Sequence, residues 1–501
     1  RLDFPDAGEW SAFALRRDDE LTVAAGVAPS IDATPGAALT MVSPRDVALR
    51  SPSNLMRALE GVPGVSQVSE GQAAVPAIRG LARGRTLILI DGGRVTSERR
   101  VGPSATFLDP AVIGAIDVAR GPGSVAYGSD AFGGIISVRT QRPDYGSTSV
   151  SGAVTVGGGV PERHVSGTAA VGFGTGGLLV SAHGRTAGDY SGPDGTVFNS
   201  GWSDSGVLVR AERVVGAGLL AASWQGDFAR DIERPRNNSR TVRFSYPFET
   251  SHRFTASYER GATGPFELVR VSGFLGSFDQ RTDQDRFATP TRAREIERAD
   301  LSARDIQFRA VAEKAFGATR VEVGADINGR YGLEAHDVFV QFDFSGGLAS
   351  TRDNLSIDSA RRVDTGVFVQ ATRPIAARVS AAGGLRVDTV GNVNRGGFFG
   401  DRSIRHSAAA GFGALTAGPF SHVTFTAQLS RGFRDPTLSD RFFRGPSGRG
   451  FITGNPDLDP ETSLQLDLGA RYATRRVQLA AYFYHYRISD LVERYQTATD
   501  F

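Results

Sequence analysis

Ile116-Asp117-Val118-Ala119-Arg120-Gly121-Pro122-Gly123-Ser124-Val125-Ala126-Tyr127-Gly128-Ser129-Asp130-Ala131-Phe132-Gly133-Gly134-Ile135-Ile136-Ser137-Val138-Arg139-Thr140 reads as two short strands around a glycine-studded turn region. The strands are Ile116 to Val118 and Ile135 to Thr140. Gly121, Gly123, Gly128, Gly133 and Gly134 supply positive φ or let backbones approach closely. Gly121 to Ala126 after a strand also has the form of a dinucleotide-binding turn, which needs a helix at that point and an acidic residue closing the next strand. Here the later glycines interrupt any helix, and Asp144 follows Pro143 in a loop. The stretch is therefore a tight strand-turn-strand inside a small domain.

Upstream, the same domain assembles from short elements. Ser43-Pro44-Arg45-Asp46 has the form of a helix start with proline in the first turn, and Ser53 to Glu60 is an amphipathic turn or two closed by Gly61 and Pro63. Val65 to Val68, Ala77 to Gly80 and Arg85 to Ile90 read as strands, the last ending in the turn Asp91-Gly92-Gly93. Arg94 to Thr106 reads as a long loop. Leu108-Asp109-Pro110 caps a short helix carrying Ala111, Val112, Ile113 and Ala115. Further upstream, Asp19 to Gly26 is an isolated β-prone segment with no partner of its own, suited to adding onto the edge of another sheet.

Downstream of Tyr145 the pattern changes to persistent alternation. Val150, Gly152, Val154 and Val156 oppose Ser149, Ser151, Ala153 and Thr155. Leu464, Leu466, Leu468 and Tyr472 oppose Gln465, Asp467 and Arg471, and Phe254, Ala256 and Tyr258 oppose Arg253, Thr255, Ser257 and Glu259. Such segments run to about ten residues with a uniform apolar face, the length a tilted strand needs to cross a bilayer. Tight turns such as Val214 to Gly218 and Phe316 to Ala318 alternate with long polar connections such as Asp279 to Asp300 and Arg434 to Glu461. That asymmetry is expected of an outer-membrane barrel with its long loops outside. Tyr482, Tyr484 and Tyr486 read as an interfacial girdle or as cross-strand packing.

Composition agrees. The chain has 501 residues, 62 of them glycine, and no cysteine to build a disulfide scaffold or thiolate metal site. Its 56 basic residues balance 54 acidic ones, so no nucleic-acid partner is implied. No apolar run approaches the length of a membrane helix, which leaves a β-barrel open. Arg1 to Arg17 show no leader pattern, so a leader has been removed or never existed. The histidines show no metal-ligand spacing, and no nucleophile elbow or phosphate loop suggests an enzyme or a cofactor.

Several segments, in this order, resemble the TonB-dependent outer-membrane receptors. They are Leu59 to Val65, Ile78-Arg79-Gly80, Leu89 to Gly92, Leu108-Asp109-Pro110, Arg120-Gly121-Pro122, Tyr127-Gly128-Ser129 and Gly133 to Ile136, then Gly432 to Ser439 and Gly454 to Ser463. The resemblance implies a mainly β protein, a transmembrane antiparallel barrel of 22 strands with an N-terminal mixed α/β plug inside it. It divides the chain into an N-terminal segment (1–27), a plug (28–145) and a barrel (146–501). Glu20-Leu21-Thr22-Val23-Ala24 resembles the box that pairs with TonB in the periplasm. In the family, plug arginines matching Arg79 and Arg120 meet barrel glutamates, and Glu461 is the matching glutamate. About 17 or 18 strands are legible, so the family pattern implies that about four or five are missing and that this is a fragment.

The function implied is active import of a scarce, large ligand across the outer membrane of a Gram-negative bacterium. A ferric siderophore is the leading cargo and cobalamin the runner-up, while a passive porin is the rival of another class. Haem is disfavoured because no histidine lies in the plug or between Phe433 and Asn455. Arg94, Arg99 and Arg100 in the plug loop would complement an anionic ligand. The expected partners are TonB, outer-membrane lipid and that ligand.

Overall fold

The structure, a computed structural model, describes residues 38–495 except 51, 69–71, 73, 83, 97, 99–107, 122, 158–160, 236–237, 448–449 and 475. The TonB-box segment Glu20 to Ala24 and the loop residues Arg99 and Arg100 lie outside the described residues.

The N-terminal part is a mixed sheet with a conventional core. Its strands are β1 (Ala38–Val42), β2 (Val65–Gln67), β3 (Pro76–Ile78), β4 (Thr86–Ile90), β5 (Gly93–Val95), β6 (Ile113–Arg120) and β7 (Gly134–Thr140). Five of them form a sheet in the order β1-β6-β7-β4-β5, with β4 and β7 parallel and the other neighbours antiparallel. Ile88, Ile116, Val118, Ile136 and Val138 are fully buried in one apolar cluster with Leu55, Leu59 and Leu108. Helix Pro44–Arg50 starts as the sequence suggests, because the Ser43 hydroxyl and backbone N–H both donate to Asp46 Oδ2, at 2.7 and 3.0 Å.

Three local readings are corrected here. Ile113 and Ala115 belong to β6, because only Pro110–Val112 form a 3₁₀ turn, started by the Asp109 side chain accepting from Ala111 N–H. The glycine-rich connection holds a single helical turn, Ser124–Tyr127. The helix expected over 53–60 is confined to Leu55–Ala58, with Asn54 as its cap.

From Thr148 onward the chain is one antiparallel meander, a 16-stranded sheet in which the short Gly396–Gly397 strand adds beside Leu348–Ala376. Its edges, Thr148–Val156 and Gln478–Ser489, do not pair with each other among the described residues. The sheet wraps the N-terminal domain, and its side chains are sorted in the reverse of a soluble protein. Leu464, Leu466 and Leu468 are 50%, 37% and 42% exposed, whereas Gln465 and Asp467 between them are 0% and 7% exposed. The same holds for Phe254, Leu275, Ile306, Val367, Leu385 and Leu429, all exposed apolar residues on the outer face. Apolar outside and polar inside is the arrangement a strand needs when lipid lies on one side and a wet, plugged lumen on the other.

Strand length departs from the expectation of about ten residues. Apart from the two-residue strand Gly396–Gly397, the wall strands range from 9 residues (Thr148–Val156) to 29 (Leu348–Ala376). The supposed loop Asp279 to Asp300 is mostly the upper half of two paired strands, Phe266–Arg286 and Glu295–Phe316. Cross-strand ion pairs hold it in register: Arg281–Asp300 at 2.6 Å, Arg298–Asp283 at 3.3 Å and Arg286–Glu295 at 3.2 Å. A ribbon with water on both faces needs no apolar stripe, so its polarity hides its β structure. Likewise Arg434 to Glu461 carries a helix, Leu438–Phe442, and a ribbon, Arg444–Ser447 with Gly450–Thr453.

Candidate functional site: the seam between plug and wall

The plug is fastened to the wall by buried ion pairs rather than by apolar contact alone. At one point Arg85, the residue before β4, forks onto Glu461 with Nε and Nη2 donating at 2.8 and 2.6 Å. Arg434 of the neighbouring wall strand donates to the same carboxylate at 3.2 Å, as does Val492 N–H at 2.8 Å. Glu461 has no exposed surface. Gly84, at φ +78°, is needed here because a Cβ would meet Arg434 Nε at 3.0 Å. Sequence reasoning chose Glu461 but missed Arg85. The available signal was a charged residue immediately ahead of the most apolar strand of the plug.

The family-matched arginines take other partners. Arg79, at φ +52°, sends Nη1 to Asp467 at 2.5 Å and to the Tyr486 hydroxyl, with its guanidinium 4.3 Å above the Tyr484 ring. Among the described residues Arg120 meets no barrel carboxylate. It donates to the Pro63 carbonyl and Thr40 hydroxyl, both at 2.8 Å, and lies over the Tyr482 ring at 5.8 Å. The physical reason is register: Tyr482, Tyr484 and Tyr486 share the inner face of the last strand, so they receive plug arginines instead of forming a lipid-facing girdle.

A second seam lies around Asp109. His164 Nε2 is 2.9 Å and Arg185 Nε 3.6 Å from its Oδ2, and His183 Nδ1 is 3.8 Å away. Burial alone would raise this carboxyl, but the hydrogen bond from His164 and the positive charges of Arg185 and His183 outweigh it and bring it down to about 2. Arg185 also forks onto Asp204 at 2.7 and 2.5 Å and donates to the plug carbonyl of Ser53 at 2.6 Å. The helical turn Ser124–Tyr127 meets the wall through Arg309, which donates to the Ala126 carbonyl at 2.5 Å and pairs with Asp326 at 3.2 Å. Gly128, at φ +73°, permits that approach, since a Cβ would come within 2.8 Å of Arg386.

Between plug and wall a cavity of about 130 Å³ opens, lined by Thr86, Thr96 and Glu98 of the plug, Asp305 and Arg330 of the wall, and Ser439. Glu98 is held above the usual carboxylate range by burial, against the opposing pull of Arg330 at 3.4 Å and Ser439 N–H at 2.9 Å. Arg94 lines the same cavity but spends its guanidinium inside the plug, donating to the Ser129 carbonyl at 3.0 Å and to the Tyr127 carbonyl. Among the described residues no cluster of three or more histidine, aspartate or glutamate side chains is arranged to hold a metal ion.

Comparison with known proteins accounts for this arrangement. Residues 31–135 match the TonB-dependent receptor plug domain, and residues 174–501 match the β-barrel of TonB-dependent receptors. An iron-regulated outer membrane virulence protein of Vibrio cholerae serotype O1 is 25% identical, over 93% of this chain and 68% of its own length. The vitamin B12 transporter BtuB of Vibrio vulnificus is 23% identical, over 96% of this chain and 72% of its own. In fold, the copper transporter OprC superposes with a TM-score of 0.74 at 19% identity, covering 89% of this chain and 71% of that one. A plug seated by buried ion pairs in an inside-out β wall, together with matches to both family domains, places this chain in the TonB-dependent receptors of the Gram-negative outer membrane.

Proposed function

We propose that this receptor imports a ferric siderophore, with TonB engaging Glu20 to Ala24 and drawing on the plug from the periplasm. The observation that carries the reading is the seam. Arg85 and Arg79 hold wall carboxylates in a buried setting where loss of one partner strands the other charge, so the plug is firmly seated yet released by a directed pull. The plug occupies the bore, which disfavours free passage of solutes and makes transport a step coupled to its movement. No chemical conversion of the ligand is needed for such a step.

The iron-regulated relative favours iron as the cargo, and BtuB supports cobalamin as the second reading. The ligand would rest on the cavity beside Glu98 and Arg330, with Arg94 on the plug side, while Arg99 and Arg100 keep their sequence-based reading as cations that complement an anionic ligand. Because the Arg94 guanidinium is turned inward, its part is to stiffen the plug apex. Arg79, Arg120 and Glu461 are seating residues, and the divisions 1–27, 28–145 and 146–501 mark the TonB-binding, plug and wall portions.

Uptake of radiolabelled ferric siderophores and of labelled cobalamin by cells carrying or lacking the full-length gene, with and without TonB, tests this reading. Gene- and TonB-dependent accumulation of iron is the expected result. Accumulation of cobalamin alone would replace the cargo, and TonB-independent entry of small sugars would replace the mechanism.

A further inference from the structure

On the outer face of the wall, three arginines stand at the end of the apolar stripe that lies away from the tight turns. Arg304, Arg361 and Arg405 belong to strands Glu295–Phe316, Leu348–Ala376 and Arg402–Phe420, and all three are exposed. Their outward direction follows from their chain neighbours, which turn inward. Asp305 accepts from Arg330 at 2.8 Å, Arg362 donates to Asp364 at 2.8 Å, and His406 reaches Asp435 at 2.9 Å. One row of paired residues, Asp305, Arg330, Arg362, Asn392 and Ile404, crosses neighbouring strands, and each of the three arginines sits beside it in the chain. They are therefore two strands apart, about 10 Å from one to the next. Tyr331 stands opposite Arg304 and lays its ring over Gly329, as aromatic residues do at a membrane interface.

Position fixes their surroundings. On its own strand Arg304 is followed on the outward side by Ile306, Phe308, Ala310 and Ala312, and the stripe ends at Lys314. About ten residues tilted by about 40° rise roughly 25 Å, the height of the apolar band of such a wall. Arg304 thus stands at the level of the lipid headgroups. The arginines of the outer ribbon are matched across the strand, Arg281 by Asp300, Arg294 by Asp285 and Arg298 by Asp283. Arg304, Arg361 and Arg405 have no carboxylate within 4.0 Å among the described residues. The nearest outward acids on the flanking strands, Asp279 and Glu334, stand opposite Ser302 instead. We propose that Arg304, Arg361 and Arg405, with Tyr331, form a site for a membrane lipid that carries phosphate on its headgroup. The guanidinium groups fork onto phosphate oxygens, and the acyl chains lie along the exposed Ile306, Phe308, Ile327 and Val367. Cations set about 10 Å apart suit a headgroup with more than one phosphate. The proposal needs only that this face meets lipid and is independent of which cargo is carried.

Native mass spectrometry of the full-length receptor tests the site, with bisphosphorylated lipid A and the same lipid stripped of its phosphates as probes. The phosphorylated form should be retained about tenfold more strongly, since one arginine beside an anionic lipid is worth about fivefold in binding. Arg361→Gln should then cut its retention about fivefold. Arg304→Gln, Arg361→Gln and Arg405→Gln together should bring it down to the level of the phosphate-free lipid. All three side chains are exposed, so these variants should fold, which heat-modifiable migration on a gel checks. Arg294→Gln, on the outer ribbon, should change neither lipid. Inorganic phosphate in large excess should leave the lipid bound, because the acyl chains also hold it. Equal retention of the two lipids, an unchanged triple variant, an equal loss with Arg294→Gln, or full displacement by inorganic phosphate would each overturn the proposal.

Discussion

The plug and the wall solve opposite problems with the same residue types. In the plug, Ile116 and Ile136 are fully buried and the sheet packs as in any water-soluble domain. In the wall, Leu385 is 68% exposed while Arg386 beside it is 2% exposed, forked onto Asp326 at 2.7 and 2.8 Å. The difference is one of solvent: the plug was sorted by water, the wall by lipid outside and a charged plug inside. The two regions therefore meet through buried charge as well as through apolar patches, where plug Val125 packs with Val311, Phe368, Val390 and Phe433 of the wall, and Leu179 and Leu208 of the wall join the plug core.

The largest test of that contrast is Glu461→Ala. It leaves Arg85 and Arg434 without their shared carboxylate in a buried place, at a cost of about 3–5 kcal/mol. The expected outcome is a loosened plug, read as increased passive entry of small sugars into vesicles. Unchanged permeability would show that this pair does not seat it.

Next comes a pair of identical substitutions at different depths. Leu385→Arg, in the middle of the outer band, should cost about 2–4 kcal/mol in urea unfolding from vesicles. Leu348→Arg, equally exposed but on the outer ribbon, should stay within about 0.5 kcal/mol. Equal effects would erase the distinction between lipid-facing and water-facing wall.

A smaller effect belongs to Asp109, whose carboxyl lies at about 2 in the seated plug. A depressed carboxyl stabilises the folded form above its ordinary pKa, near 4, and that stability, about 2 kcal/mol, is lost as pH falls from there toward 2. Protection factors of the plug amides, taken relative to the intrinsic exchange rate at each pH, should fall over that window, and Asp109→Asn should flatten the dependence. The smallest effect is at the outer ribbon, where Asp300→Asn removes the partner of Arg281 at a cost below about 1 kcal/mol that salt should abolish.

How much was legible in the sequence follows from the same contrast. The alternation at Leu464 to Leu468 and the glycine-broken strands around Gly121 to Gly134 expose wall and plug directly, because each reflects one dominant solvent. The ribbon at 279–300 does not, because a strand wet on both sides has no period of hydrophobicity to read. Arg79 was picked by resemblance, but its partner Asp467 depends on which inner-face residue stands level with it, a matter of register across nearly four hundred residues. Arg85 was passed over for the same reason, since only the folded seam shows that it reaches Glu461. The tyrosines at 482, 484 and 486 were ambiguous because an inner and an outer face alternate identically until the partner of one face is known.

The central claim, that this sheet has lipid outside and a packed lumen inside, is tested most directly by two tryptophans. Trp224 lies on the outer face, level with Phe254 and stacked on His252, whereas Trp202 is buried on the inner side against Arg185. In Trp10→Phe variants retaining one of the two, reconstituted with lipids brominated on their acyl chains, Trp224 fluorescence should be strongly quenched and Trp202 fluorescence left intact. Quenching of Trp202 with Trp224 untouched would contradict the account.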